Sequence, residues 1–317
     1  GPGSMVTQPE AVDRLDPLLR AVATARIDFT AESILTIRES MNQRRREAAA
    51  TETAAAGVAV ADDVVTGEAG RPVPVRIYRA APTPAPVVVY CHAGGFALGN
   101  LDTDHRQCLE LARRARCAVV SVDYRLAPEH PYPAALHDAI EVLTWVVGNA
   151  TRLGFDARRL AVAGSSAGAT LAAGLAHGAA DGSLPPVIFQ LLHQPVLDDR
   201  PTASRSEFRA TPAFDGEAAS LMWRHYLAGQ TPSPESVPGR RGQLAGLPAT
   251  LITCGEIDPF RDEVLDYAQR LLGAGVSTEL HIFPRACHGF DSLLPEWTTS
   301  QRLFAMQGHA LADAFYP

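Results

Sequence analysis

Long apolar runs are missing from this sequence: no stretch is long enough to span a membrane, and no secretory signal stands near its start. These absences imply no stable membrane insertion and a cytoplasmic location. Cysteine is scarce as well, with five residues (Cys91, Cys108, Cys117, Cys254 and Cys287), an odd set without Cys-x-x-Cys spacing. Neither a disulfide framework nor a thiolate metal site is expected from such a set; reduced, buried thiols are. Positive charge is in short supply too. The formal net charge is -7 and the basic residues are scattered, which argues against nucleic acid as a partner. The one basic run, Arg44-Arg45-Arg46, reads as a solvated helix face. There is no Walker-type P-loop and no dinucleotide fingerprint. Asp102, Asp104 and His105, like Asp198 and Asp199, cluster without zinc or calcium spacing. No cofactor and no metal is expected.

What remains is an ordinary globular balance, 46% hydrophobic and 20% charged over 317 residues. A chain of that length can bury a full core without disulfides or metals, as one large domain or two modest ones. Gly1-Pro2-Gly3-Ser4 reads as the remnant of an expression tag.

From about Pro9 to Ala50 the sequence is rich in Ala, Leu and Arg with helix-like apolar spacing. Short β-branched segments at 58–65 and Val73–Tyr78 follow, separated by a Gly-containing turn. Beyond the prolines at 82, 84 and 86, apolar strand candidates alternate with helical stretches. The strands are Val87–Tyr90, Ala118–Val122, Leu160–Ala163, Val187–Leu192, Thr250–Cys254 and Thr278–Ile282; helices include Asp104–Arg116, Ala134–Asn149 and Ala167–Ala180. Continuous apolar strands between helices imply an α/β fold, a mainly parallel sheet covered on both faces. Between Leu197 and Leu247 the alternation stops, with Pro, Ser, Gly and Arg around one aromatic helix candidate, Glu217–Leu227. The expected organisation is a catalytic domain from residues 51–197 and 248–317, with a helical cap from 5–50 and 198–247.

Gly164-Ser165-Ser166-Ala167-Gly168 fits G-x-S-x-G between an apolar strand and an Ala-rich helix. A strand-turn-helix elbow of this kind exposes its central hydroxyl, making Ser166 a candidate nucleophile. The alternative is a turn in which a helix packs closely on a strand. His92-Ala93-Gly94-Gly95-Phe96 directly follows the Val87–Tyr90 strand. Acyl transfer creates an oxyanion that needs preorganised N–H donors; Gly94, Gly95 and Ala167 are the candidates, unless the glycines only form a turn. A serine hydroxyl requires a base, held in turn by a carboxylate. Asp258 and His288 each follow a late strand, and the order Ser166, Asp258, His288 is the one this fold class uses. Glu256 and Asp262 compete with Asp258, and His130 and His193 with His288. Phe96 and the apolar residues Phe208, Phe214, Leu221, Met222, Trp223 and Tyr226 are candidates to line a substrate pocket; the lid residues among them could equally serve only to hold the lid together.

Together these motifs resemble the hormone-sensitive-lipase family of α/β-hydrolase esterases, bacterial lip-type carboxylesterases in particular. The resemblance runs from about Val87 to Phe290. Its longest element is Asp123-Tyr124-Arg125-Leu126-Ala127-Pro128-Glu129-His130-Pro131-Tyr132-Pro133-Ala134-Ala135, joined by Gly255–Glu263 around Asp258-Pro259 and by His288-Gly289-Phe290. It implies an eight-stranded sheet with a helical cap and no cofactor. The implied reaction is hydrolysis of short- to medium-chain acyl esters through a Ser-His-Asp triad and an acyl-enzyme, with a small-molecule ester as substrate and a homodimer through the sheet edge as an option. Two positions depart from the pattern: Ala93 replaces the first glycine of a His-Gly-Gly-Gly run, and Ser165 stands where Asp or Thr is usual. A noncatalytic binding protein on the same fold and an amidase or deacetylase are the alternatives; His288 speaks against the first.

Overall fold

The structure is a computed structural model in which residues 10–53, 56–67 and 70–317 are described. Residues 1–4, read as a tag remnant, lie outside them, as do 5–9. All eight strand candidates are strands: β1 (Ala59–Thr66), β2 (Pro72–Arg79), β3 (Ala85–Cys91), β4 (Ala118–Val122), β5 (Phe155–Ser165), β6 (Phe189–His193), β7 (Ala249–Ile257) and β8 (Thr278–Cys287). They form one sheet in the order β1-β2-β4-β3-β5-β6-β7-β8. β2 runs antiparallel to both its neighbours, and every later pair is parallel.

The helices are α1 (Ala11–Arg14), α2 (Pro17–Val22), α3 (Ala31–Ala50), α4 (His105–Ala115), α5 (Ala134–Gly148) and α6 (Ala150–Leu153). They continue with α7 (Ala167–Ala180), α8 (Ala203–Glu207), α9 (Gly216–Leu227), α10 (Arg261–Gly273), α11 (Phe290–Leu293) and α12 (Thr298–Phe315).

Strand alternation explains why the central strands are apolar throughout. Along β3, Val87, Val89 and Cys91 join one core with residues of α5, α7 and α10, while Val88 and Tyr90 join another with α4 and α12. Side chains of period two face opposite sides, so a sheet covered on both faces needs apolar residues at every position. Each such valine, fully withdrawn from water, contributes about 1.5–3 kcal/mol. At the edge the logic reverses: β1 buries only Val65, and Asp62 and Asp63, which point to opposite faces, are both exposed. α12 is held by Leu303, Phe304, Gln307, Leu311 and Phe315, one buried face at helical spacing.

The parallel strands bring their carboxyl ends to one side, where ligands bind in folds of this type. A third core cluster sits there, in which Leu15, Leu19 and Ala23 of the N-terminal segment pack with Phe208, Phe283 and Phe290. The N-terminal and 198–247 segments also meet directly. Ala213 N–H donates to the Ala25 carbonyl (3.0 Å), and Arg26 pairs with Asp215 and Glu217, each at 2.8 Å. Arg38 of α3 donates to the Ala97 and Ala127 carbonyls and pairs with Glu129, tying α3 to the loops after β3 and β4. The last part of the 198–247 segment packs lower, against α7 and α10: Arg241 pairs with Asp181 at 2.7 Å, and Arg270 donates to the Gly239 carbonyl. No helix among the described residues is long and apolar enough to cross a membrane.

Candidate active site

β5 ends in a sharp turn at Ser166, whose φ of 57° and ψ of -119° leave the regions favoured by side-chain-bearing residues. Such a conformation costs about 1–3 kcal/mol and persists only where its surroundings fix it. Here Ser166 N–H donates to the His193 carbonyl (2.9 Å), and its own carbonyl accepts from Ala169 and Val196. Two glycines make the turn sterically feasible. A Cβ at Gly164 would collide with the Gly168 backbone, and one at Gly168 would run into the carbonyl oxygens of Cys91 and His92. That second collision also shows how closely the first turn of α7 abuts the loop after β3.

From the ends of β7 and β8 come the other two groups. Ser166 Oγ lies 2.8 Å from His288 Nε2, and His288 Nδ1 lies 2.7 Å from Asp258 Oδ2. Asp258 is fully buried, and its Oδ1 accepts the Phe260 N–H at 2.8 Å. Ser166, His288 and Asp258, chosen from the sequence, are thus brought together in one hydrogen-bonded chain. A bulge prepares it. The β7–β8 register slips between Gly255 and Ile257, Arg285 takes φ 59°, and a Cβ at Gly255 would strike the Ala286 carbonyl.

The competing residues are committed elsewhere. Glu256 Oε1 accepts Arg285 N–H (2.7 Å) and so holds the bulge. Asp262 lies in the first turn of α10, as expected, and accepts Ser204 N–H. His130 is exposed. His193 has Thr253 Oγ1 on Nδ1 (2.8 Å) and Asp291 Oδ1 on Nε2 (3.1 Å). Nor do the nearby cysteines compete as nucleophiles: burial pushes the Cys91 and Cys287 thiols up to about 12, so they stay protonated.

The loop after β3 is built by residues on both sides of it. Tyr124 stacks on His92 with ring centroids 4.3 Å apart and donates to its carbonyl (2.6 Å). Buried Asp104 accepts from Ala93 N–H (3.0 Å) and the Tyr90 hydroxyl (2.7 Å). Ala93 has no positive φ, whereas Gly94 and Gly95 stand at 141° and 61°. A Cβ at Gly94 would strike the Leu98 carbonyl and one at Gly95 the Phe29 ring, so alanine fits at the first position and not at the next two. Ala93 N–H is engaged by Asp104; among the described residues the N–H groups of Gly94, Gly95 and Ala167 have no protein acceptor.

Aromatic rings surround these groups. Phe96 stacks on Tyr226 (3.7 Å) and tilts against Trp223 (5.6 Å), so the three residues proposed for substrate contact form one cluster beside the glycines. Phe214 stands 5.6 Å from the His288 ring and 5.4 Å from Phe29, whose own ring abuts Gly95. Phe29 is a neighbour the sequence did not single out. Met222 lies within the main core and Leu221 packs on it, while Phe208 is buried in the cluster under α1 and α2, beneath the guanidinium groups of Arg14 and Arg261. Among the described residues no group of three or more His, Cys, Asp or Glu is arranged to hold a metal ion.

Residues 88–292 match the alpha/beta hydrolase fold family. Esterase LipI of Mycobacterium tuberculosis is 43% identical over 240 residues, which are 73% of this chain and 74% of that protein. Carboxylesterase NlhH of the same organism is 42% identical over 226 residues, 69% of this chain and 71% of its own. The solved structure of a bacterial heroin esterase superposes with a TM-score of 0.90 at 35% identity, covering 96% of this chain and 99% of that one. Similarity of this extent, in sequence and in fold, makes the chain a member of the α/β-hydrolase family, in its hormone-sensitive-lipase-like branch.

Proposed function

We propose that this carboxylesterase cleaves short- to medium-chain acyl esters with Ser166 as nucleophile, His288 as general base and acid, and Asp258 as the group that orients it. The observation that carries the reading is the unbroken chain from Ser166 Oγ through His288 to Asp258, at 2.8 and 2.7 Å. His288 Nε2 takes the hydroxyl proton as Oγ attacks the ester carbonyl. Asp258 fixes the tautomer with the proton on Nδ1 and stabilises the imidazolium. The N–H groups of Gly94, Gly95 and Ala167 receive the oxyanion, each worth about 2.7–4 kcal/mol in the transition state. The start of α7 adds its positive end to the same region. As the tetrahedral intermediate collapses, His288 returns the proton to the departing alcohol. Water then attacks the acyl-enzyme with His288 again as base.

In this reading the described part of residues 5–50, with the 198–247 segment as far as α9, acts as the cap, supported by the Arg26 ion pairs and the contact of Phe29 with Phe214 over the site. The aromatic cluster of Phe96, Trp223 and Tyr226 would bound the substrate. A homodimer through one of the unpaired sheet edges, β1 or β8, belongs to the same reading. The test is hydrolysis of p-nitrophenyl esters of increasing acyl length by the parent protein and by Ser166→Ala. Turnover of the short esters, abolished by the substitution, is the expected result. Equal turnover by both proteins would remove Ser166 from the role.

A further inference from the structure

We propose that Gln194 is a positioning residue that sets the distance between Ser166 and His288; the inference rests on the triad reading above. β5 and β8, which carry those two residues, are not neighbours: β6 and β7 lie between them. Ladder hydrogen bonds therefore register each strand only to the next, and small offsets can accumulate across two intervening strands. Gln194 leaves the end of β6 and spans the gap in both directions. Its Nε2 donates to Ser165 Oγ at 3.1 Å, and its Oε1 accepts Gly289 N–H at 2.7 Å. Ser165 immediately precedes the nucleophile, and Gly289 immediately follows the base.

The orientation of the carboxamide follows from its partners. A backbone N–H can only donate, so the atom facing Gly289 is the oxygen, and the amide nitrogen must face the Ser165 hydroxyl. Gln194 is itself held in an uncommon backbone conformation, φ 41°, with its N–H on the Thr253 carbonyl at 2.6 Å. The side chain is 2% exposed, which leaves water little access to either hydrogen bond. A planar group that donates at one end and accepts at the other, fixed to a constrained backbone, makes a rigid spacer between two loops. The hydroxyl of Ser165, the departure from the family pattern, thereby becomes the anchor of the clamp on the elbow.

The experiment measures kcat and KM for p-nitrophenyl acetate in Gln194→Leu, Ser165→Ala, Ser165→Thr and the Gln194→Leu/Ser165→Ala double variant, with Ser166→Ala as control and thermal melts for folding. A displacement near 1 Å costs about 100-fold in such sites, so Gln194→Leu is expected to lower kcat about 10- to 100-fold with KM within about threefold. Ser165→Ala should lower kcat less, Ser165→Thr should recover most of that loss by keeping the hydroxyl, and the double variant should be no slower than Gln194→Leu. A kcat within twofold of the parent in folded Gln194→Leu, or a loss confined to KM, overturns the clamp. Should Gln194→Leu fail to fold, the Ser165 pair decides: an unchanged kcat in Ser165→Ala, or a loss that Ser165→Thr does not repair, overturns it equally. Parental turnover by Ser166→Ala would instead sink the triad reading, a result distinct from failure of the clamp.

Discussion

Two buried imidazoles at the same end of the sheet each lean on a carboxylate. His288 meets Asp258 and His193 meets Asp291, at 2.7 and 3.1 Å. Burial is similar for both, with 7% of His288 and 2% of His193 exposed. The difference lies at the second ring nitrogen. In His288 the Nε2 faces a serine hydroxyl set on a strained elbow; in His193 the Nδ1 is tied to Thr253 within the sheet. Asp291 is further held by Gln107 Nε2 at 3.1 Å, and the Phe290 ring meets His193 edge-on. A buried histidine–carboxylate pair is thus a structural element by default. The reading of His288 as a general base rests on its remaining nitrogen reaching a serine hydroxyl, a contact that His193 lacks.

Breaking the carboxylate in each pair sharpens the contrast. Asp258→Asn removes the charge that selects the reactive tautomer, and kcat should fall about 100- to 10,000-fold. Its KM should hardly move, as read from steady-state kinetics. Asp291→Asn should instead spare turnover. Loss of the buried hydrogen bonds is expected to lower stability by about 1–3 kcal/mol, measured by urea unfolding, with kcat of the folded protein within about threefold.

The Asp291 pair also leaves a signature in acid. Burial alone would raise the Asp291 carboxyl, but the charge and hydrogen bond of His193, with Gln107, outweigh it and hold the group below the ordinary value of 3.8. A carboxyl depressed in the folded state adds stability that is fully present above the unfolded value. That stability disappears as pH falls through the folded one. Below about pH 4 the parent should therefore lose its advantage over Asp291→Asn, the two urea midpoints converging as acid is added. The smallest effect belongs to the ring above His288. Phe214→Ala should move the acyl-length optimum upward in a series of p-nitrophenyl esters, since an apolar pocket discriminates by methylene, while turnover of acetate esters changes less.

Much of this arrangement is legible in the sequence, for physical reasons that can be named. β3 is apolar at every position because both its faces are covered, and G-x-S-x-G needs its glycines because backbone lies where their side chains would be. β5 and β8 run further than their apolar stretches indicate. The start of β5 is partly exposed and carries Asp156, Arg158 and Arg159, while β8 continues past its bulge to Cys287. The Asp291 partner of His193 and the Gln194 clamp leave no trace in spacing. Ser165, Gln194 and Gly289 are far apart along the chain and meet only when β5, β6 and β8 end on the same side. Phe29 escapes for the same reason, as an aromatic in an N-terminal segment whose neighbours come from α9 and the loops before it.

Everything proposed for the site turns on Ser166, activated by His288, being the residue that becomes acylated. Its most direct test is intact-protein and peptide mass spectrometry after brief exposure to a fluorophosphonate, applied to the parent, Ser166→Ala and His288→Ala. One adduct is expected, mapped to Ser166, absent in Ser166→Ala and slowed at least about 100-fold in His288→Ala. An adduct of undiminished yield in Ser166→Ala, or on another residue of the parent, would contradict that role.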